Sequence, residues 1–445
     1  MRHTDLATEL LKTARTAGAD AADLLVAEGT EFSVTVRRGE VETLKEAGSK
    51  GLGIRVFVGQ RTASSYTSDF SRSALQRLVE ETVGIARVTG EDPAAGLPDE
   101  TVPPEDLDLA LHDPSPAALP TEERIERARA AEATALETAG ITNSQGASWS
   151  SGEGSVLLAS TNGFLGSYRT SSVSLSVVPQ AERDGHMERD YWYTTGRGLS
   201  DLETPEQVGR TAAERTLRRL GARQMPTCQV PVVFDPETAA ELMGAIFSAL
   251  SGYAVFRNAT FLKDRVGEQV ASPLLTLVDE GRRHRGLGSR PFDGEGLPTR
   301  RNVPLERGVL RFYLCDSYSA RKIGATPTGT ARRGIAGGPA VGAGNLFFEP
   351  GEMSPEEIRG GVDRGLYVTD LIGFGVNVVT GDYSQGAVGH WIENGRLTHP
   401  VHEVTIASNL NDMLGSVDAV GNDLVFRGSS ASPTLRIRRM TVSGS

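Results

Sequence analysis

The chain has 445 residues, enough for two ordinary domains, with 38% hydrophobic and 23% charged residues and a mean hydropathy of −0.24. Its 57 acidic and 46 basic residues leave a formal charge of −11 and a pI near 5.3; a phosphate-tracking surface needs clustered Lys and Arg, so no nucleic-acid partner is expected. No apolar run approaches the roughly 18 residues that span a bilayer, and the two cysteines, Cys228 and Cys315, lack both metal-ligand spacing and the number for a disulfide framework.

In chain order, Met1-Arg2-His3-Thr4-Asp5 leads directly into an amphipathic helix over 4–17 without an apolar leader, which reads as a cytoplasmic chain with no membrane partner. Strand patterns follow at 21–27, 31–38, 41–46 and 51–58, then a helix over about 71–88. Residues 89–120 hold seven prolines and eight acidic residues and read as a surface excursion or linker. A helix begins at Thr121 with Glu122 and Glu123 in its first turn. Alternating segments between 142 and 194 read as half-buried strands, and Thr204-Pro205 with Gln207 forms a capping box for a helix ending near Gly221. Residues 5–88 and 121–221 thus share a helix–strands–helix layout, pointing to a distant duplication or a shared sheet. From Val230 one clear helix (236–251) and a short one (354–360) stand among many short strands. The expected fold is α+β: an N-terminal α/β domain over 1–225, with helices on an antiparallel-rich sheet, and a β-rich C-terminal domain with few helices over 226–445.

The helix over 236–251 is the best defined. Asp235 suits the N-cap and Pro236 the first turn, and Ala239, Leu242, Met243, Ile246, Phe247 and Leu250 make an apolar stripe. Taken alone, this is a core helix. The segments after it carry a resemblance: Gly267-Glu268-Gln269-Val270-Ala271-Ser272, Val278-Asp279-Glu280-Gly281, Phe292-Asp293-Gly294-Glu295-Gly296, Tyr318-Ser319-Ala320-Arg321-Lys322, Thr380-Gly381-Asp382-Tyr383-Ser384-Gln385-Gly386-Ala387 and Glu403-Val404-Thr405-Ile406-Ala407-Ser408-Asn409-Leu410. Together they resemble the TldD/PmbA family, and Arg189-Asp190-Tyr191-Trp192-Tyr193 with Ala213-Glu214-Arg215 resembles its PmbA (TldE) branch.

The resemblance implies that TldD-like members carry His-Glu-x-x-x-His on a helix upstream of Gly-Glu-Gln-Val-Ala-Ser, plus a late Cys as third zinc ligand. Counted back from Gly267 without gaps, the motif falls on Met243-Gly244-Ala245-Ile246-Phe247-Ser248. Met243, Gly244 and Ser248 supply neither imidazole nor carboxylate, and no Cys follows Cys315. The resemblance therefore implies a chain with no catalytic residues, metal or cofactor of its own. It would be the non-catalytic subunit of a heteromeric peptidase whose TldD-type partner holds the zinc. Unfolded or linear peptides, including peptide precursors, would be the substrates, and the isolated chain could self-pair as a homodimer. The alternatives are a self-sufficient hydrolase, or a regulator that binds a DNA-processing enzyme such as gyrase, as the family's older label of modulator of DNA gyrase suggests.

Arg321, Lys322, Asp382, Tyr383 and Ser384 lie in the better-marked segments and are the candidate contacts to a partner or peptide channel, against an internal salt bridge or turn as the plainer role. His402-Glu403 lies in a strand pattern with Ile406 and Ala407 where a second zinc histidine would stand. Ser384 with His390 lacks the spacing and helix of a nucleophile elbow. Gly373-Phe374-Gly375 and Gly342-Ala343-Gly344 lack the third glycine of a dinucleotide loop. The Gly/Ala-rich run from Gly334 to Gly344 reads as a mobile loop able to serve a channel or interface.

Overall fold

The computed structural model describes residues 3–373 and 375–444. The first half runs α1 (His3–Thr16), β1 (Ala21–Arg37), β2 (Glu40–Val58), β3 (Arg61–Thr67), α2 (Arg72–Val88), α3 (Ser115–Ala118), α4 (Thr121–Glu137), β4 (Ile141–Ser160), β5 (Leu165–Arg183), β6 (His186–Arg189), β7 (Trp192–Gly196) and α5 (Pro205–Arg218). All strands join one antiparallel sheet in the order β3-β2-β1-β4-β5-β6, with β7 also on β5. Each half of this sheet contributes a helix, a long hairpin, short strand structure (β3 in the first half, β6 and β7 in the second) and a helix, and the halves meet where β1 pairs with β4. The shared sheet is thus present, built from two similarly laid-out halves.

The four short strands expected over 21–58 are two long ones. Gly29 and Gly48 do not break them, because both stay extended and pair within the ladder (Gly29 with Ser49 and Gly154, Thr30 with Gly48). The chain reverses only where Arg38 and Gly39 take left-handed φ of 53° and 78°. On one sheet face α1 and α2 cover Leu24, Val26, Leu52 and Ile54, while α4 and α5 cover Phe32, Val34, Trp149 and Leu175. This alternation is the period-two pattern of a strand; the odd residues of β1 lie on the other face, where Asp23 and Leu25 are buried as well.

The second half of the chain runs β8 (Cys228–Phe234), α6 (Pro236–Leu250), α7 (Gly252–Phe256), β9 (Leu277–Glu280), β10 (Arg301–Glu306), β11 (Val309–Leu310), α8 (Ser317–Ile323), β12 (Ala331–Arg332), β13 (Ala340–Val341), β14 (Asn345–Phe348), α9 (Pro355–Gly360), β15 (Arg364–Ile372), β16 (Asp382–Glu393), β17 (Arg396–Asn409), α10 (Leu410–Gly415), β18 (Val417–Val420), β19 (Ser430–Ala431) and β20 (Leu435–Ser443). The larger sheet, β17-β16-β15-β8-β20-β18, closes on itself because β17 also pairs with β20. α6 packs on β8 and β15 of this sheet and on β14 and β19 of the other, β11-β10-β9-β14-β19. The helices α7, α8 and α10 were not anticipated. They are five to seven residues long, too short for a periodic signal.

The N-terminal sheet's uncovered face meets the second half. Phe292 packs edge-on against Phe164 and Tyr168, with centroids 5.0 and 5.3 Å apart. The Gly334–Gly344 run, expected to be a mobile loop, forms the turn and second strand of the β12–β13 hairpin and the short link from it to β14. The hairpin is docked: Arg333 pairs with Asp23, and Ile335 covers Gly51 and Gly53. Any Cβ on Gly53 would collide with the Ile335 carbonyl, so the socket exists because that position has no side chain. The Gly53→Ala variant is expected to lose about 1–3 kcal/mol. It should also exchange amide hydrogens faster over 333–339, whereas Gly48→Ala, with open space at its Cβ, leaves exchange there unchanged; hydrogen exchange with urea titration checks both.

Candidate functional site

Asp235 follows β8 and caps α6, its Oδ1 accepting the Thr238 N–H and hydroxyl at 2.8 Å each. Thr238, Ala239, Leu242, Met243, Ile246, Ala249 and Leu250 are buried, and the largest hydrophobic core forms around them; Phe247, expected in this stripe, is only partly buried. Met243 is 0% exposed. Gly244 and Ser248 lie one turn apart on the exposed face, and Ser248 Oγ donates to the Gly244 carbonyl at 2.8 Å. A zinc site requires imidazole, thiolate or carboxylate donors converging on one point. A thioether sunk in the core, a glycine and a hydroxyl turned back on its own helix do not fit that ion. Among the described residues no group of three or more His, Cys, Asp or Glu could hold a metal. One turn before Gly244, Glu241 is pushed up to about 7 by desolvation, then by Asp370, Asp235 and Glu237.

The five polar candidates fall into two separate groups. Arg321 and Lys322 lie on α8, which carries a capping box between Asp316 and Ser319. Arg321 Nη1 donates to the Ala94 carbonyl (3.1 Å), and its Nη2 donates to the Leu97 carbonyl (2.5 Å) and Asp99 (2.7 Å). Lys322 Nζ reaches Asp92 at 2.7 Å, and the Tyr318 hydroxyl donates to Asp92 at 2.8 Å. Both cations thus fasten the 92–99 segment to the second half. That segment belongs to the excursion over 89–120, which buries Ala94, Leu109 and Leu111 and is tied again by Glu105–Arg282 and Asp113–Arg285.

Asp382, Tyr383 and Ser384 open β16. Asp382 accepts from Thr380 (2.6 Å) and Asn409 (3.3 Å), while the Ser384 N–H donates to the Gly375 carbonyl at 2.6 Å. Tyr383 is 1% exposed, within the same core as Met243, and its buried hydroxyl has no partner among the described residues. No described hydrogen bond or ion pair joins the two groups. Ser384 and His390 stand six residues apart on one strand, about 20 Å at the strand rise, so they do not meet. His402 and Glu403 are in β17. Phe374 of Gly373-Phe374-Gly375 lies outside the described residues. Cys228 and Cys315 are free thiols, and burial pushes Cys315 up to about 11, which makes it unreactive.

The segment Phe292-Asp293-Gly294-Glu295-Gly296 carries part of the family resemblance, yet residue type alone gives its carboxylates no task. Both are buried. Asp293 Oδ1 accepts the N–H groups of Glu295 (2.9 Å) and Leu297 (3.0 Å), and its Oδ2 accepts that of Ala331 (3.1 Å). Glu295 accepts the Ser317 N–H at 2.8 Å, at the start of α8. The pair therefore ties together the β12 strand, α8 and its own turn. Glycines flanking both acids were the available signal; burial was not readable. Desolvation, then Asp293, pushes Glu295 up to about 7, and desolvation pushes Asp293 up to about 6. A carboxyl raised in the folded state is most favourable when protonated. Its contribution is present below the usual glutamate range and is lost as pH rises through about 7. Urea midpoints measured between pH 4.5 and 7.5 are expected to fall across this window. Glu295→Gln should remove about 1–3 kcal/mol of that fall.

Family descriptions match nearly the whole chain: PmbA/TldA metallopeptidase domain 1 over residues 22–86, the central domain over 114–220 and the C-terminal domain over 227–444. The chain is 41% identical over 429 residues to metalloprotease PmbA of Escherichia coli O157:H7, covering 96% of this chain and 92% of that protein. A Bacteroides thetaiotaomicron structure, described as a candidate modulator of DNA gyrase, superposes with a TM-score of 0.92 at 31% identity over 99% of both chains. TldE of Thermococcus kodakarensis shares the fold, with a TM-score of 0.87 at 21% identity over 98% of this chain and 99% of that one. With its three domains matched and its α+β architecture shared along the full length, this chain belongs to the PmbA/TldD metallopeptidase family.

Proposed function

We propose that this chain is the non-catalytic subunit of a heteromeric zinc peptidase, working beside a TldD-type subunit that supplies the metal and the general base. The observation that supports the reading is the state of α6. The three positions aligned with His-Glu-x-x-x-His are a core methionine, a glycine and a serine bonded to its own helix. Losing one donor would weaken a zinc site, but losing both imidazoles together with the base removes the means of activating water. Met243 has been given over to packing, where a histidine would leave imidazole nitrogens in an apolar core.

In this reading the substrates are unfolded or linear peptides, precursor peptides among them, handled in the cytoplasm as a 1–225 and a 226–445 domain working together. No described helix is long and apolar enough to cross a membrane. Arg321 and Lys322 act in it by holding the 92–99 segment in place, while Asp382 and Ser384 are left as surface contacts. A regulator of a DNA-processing enzyme is the alternative suggested by the gyrase-modulator description of the Bacteroides protein. Tight binding to a topoisomerase in the absence of a sister subunit would favour it.

The test is co-expression with a sister subunit carrying His-Glu-x-x-x-His, followed by zinc analysis and peptide cleavage by each chain alone and by the pair. The expected outcome is cleavage by the pair, blocked by chelator, with less than about a tenth of an equivalent of zinc on this chain alone. One zinc per isolated chain, or chelator-insensitive cleavage by it, would overturn the reading.

A further inference from the structure

Glu241 stands apart from the other acids gathered around the start of α6. The Asp235 N–H donates to the Val368 carbonyl of β15 at 3.2 Å, which sets Asp370 beside the first turns of the helix. From the other side comes the chain around β7: the Tyr193 hydroxyl donates to Glu237 at 3.2 Å, and Tyr191 stacks on Tyr193 with centroids 6.1 Å apart. Glu237 and Glu241 lie one turn apart on the same helix face.

Three arginines serve the neighbouring acids. Arg215 reaches Asp190 (3.3 Å) and Asp235 (4.0 Å), and Arg219 reaches Asp190 (3.6 Å) and Asp370 (2.6 Å). Arg427 reaches Glu237 (2.8 Å) and Glu203 (3.8 Å). No described hydrogen bond or ion pair reaches Glu241. Desolvation, then Asp370, Asp235 and Glu237, push its carboxyl up, and no cation offsets them.

A second group at the same spot also lacks a partner. Tyr383 is 1% exposed, its hydroxyl has no bond among the described residues, and Glu241 is the charged group that acts on it. A buried hydroxyl left unbonded is unfavourable unless something completes it. The surroundings are open. Tyr191 is 47% exposed and no described cation lies over its ring, whereas the adjacent Trp192 is taken by Arg215 and Arg427. Ile372, on the same side of β15 as Asp370, is 57% exposed. One turn beyond Glu241, Gly244 has open space where a Cβ would stand, so another chain can pass along the helix there.

These acids do not converge as ligands of a bare ion: among the described residues no group of three or more His, Cys, Asp or Glu could hold a metal. The absent partner must carry its charge on a stem, with an apolar stretch to lie against Tyr191 and Ile372. Lysine and arginine side chains have that form.

We propose that Glu241, the Tyr383 hydroxyl and the open face of Tyr191 form a subsite for a basic side chain, Lys or Arg, of a linear peptide lying along the exposed face of α6. The choice of a basic side chain stands on the unpaired carboxylate and hydroxyl. The peptide part rests on the reading given under Proposed function, and it extends that reading by giving α6 a part in holding substrate.

The test uses the full isolated chain, without sister subunit or zinc, so that its failure is separate from a failure of the peptidase assay. Calorimetric titrations at about pH 8 and fixed ionic strength compare an end-capped Ala-Ala-Lys-Ala-Ala peptide with the same peptide carrying acetyl-lysine. Acetylation keeps the stem and removes the charge. The lysine peptide is expected to bind at least about tenfold more tightly, because the charge-assisted contacts are lost on acetylation. Glu241→Gln should erase that difference and keep the thermal midpoint, since the side chain is exposed and has no described bond to lose. Tyr383→Phe removes a hydroxyl that is unbonded in the free chain, so it should also keep the midpoint, and it should reduce the difference in part. Glu122→Gln, at an exposed acid on α4, controls for the overall negative charge and should leave the difference intact. Equal binding of the two peptides, or no binding of either, would overturn the subsite. So would a difference that survives Glu241→Gln, or one that Glu122→Gln lowers as far as Glu241→Gln does. A difference unchanged in Tyr383→Phe would overturn the part given to the hydroxyl.

Discussion

Asp23 is the point on which the assembly of the two halves turns. It sits on β1, 2% exposed, and accepts from Arg55 Nε (3.1 Å) on neighbouring β2 and from Arg333 on the hairpin of the second half. Burial alone would raise its carboxyl, but Arg333 and then Arg55 outweigh that and hold it below the usual aspartate range. Such a trio is weak evidence for net stability, because desolvating three charges costs about as much as their attraction returns. What it does supply is direction. With Ile335 seated on Gly51 and Gly53, it fixes where the second half sits on the sheet, and leaving any one charge unpartnered there would be costly.

That placement decides the character of both candidate regions. Around α6 the second half has a dense apolar core, and Met243 and Tyr383 belong to it. Along the seam the character is polar: Asp293 and Glu295 gather backbone N–H groups, while Arg197, Arg290 and Arg332 gather carbonyls. The same chain thus gathers polar groups along the seam and keeps apolar packing around α6. The 89–120 excursion reinforces the seam from outside, with Asp92, Asp99, Glu105 and Asp113 each paired to a cation of the second half. Its high acidic content, which in composition reads as solvation, is used for docking.

Local signals in the sequence carried well wherever an element had its own period and its own caps. Helices α1, α2, α4, α5 and α6 lie within a residue or two of where apolar spacing and the Thr204, Asp235 and Ser354 caps put them and α9. Strand continuity did not carry, because Gly29 and Gly48 read as breaks in a one-dimensional pattern while the ladder on either side holds them extended. The site was legible only in part: the chemistry missing at Met243, Gly244 and Ser248 is a matter of residue type, but Tyr383 in the core, and Arg321 and Lys322 fastening 92–99, depend on segments hundreds of residues apart.

By itself, then, the sequence determined the long, capped helices, the α+β class, the family and the residue types at Met243, Gly244 and Ser248, because each depends on residue identity at short range. The tertiary structure decided what those residues are for. Ser248 turns to its own helix, the Gly334–Gly344 run is pinned by a buried ion pair, and three arginines far apart in the chain converge on the carbonyls of two short segments. Long-range contacts of this kind leave no spacing in the chain, since the partners are chosen by how the sheet and the second half close upon each other.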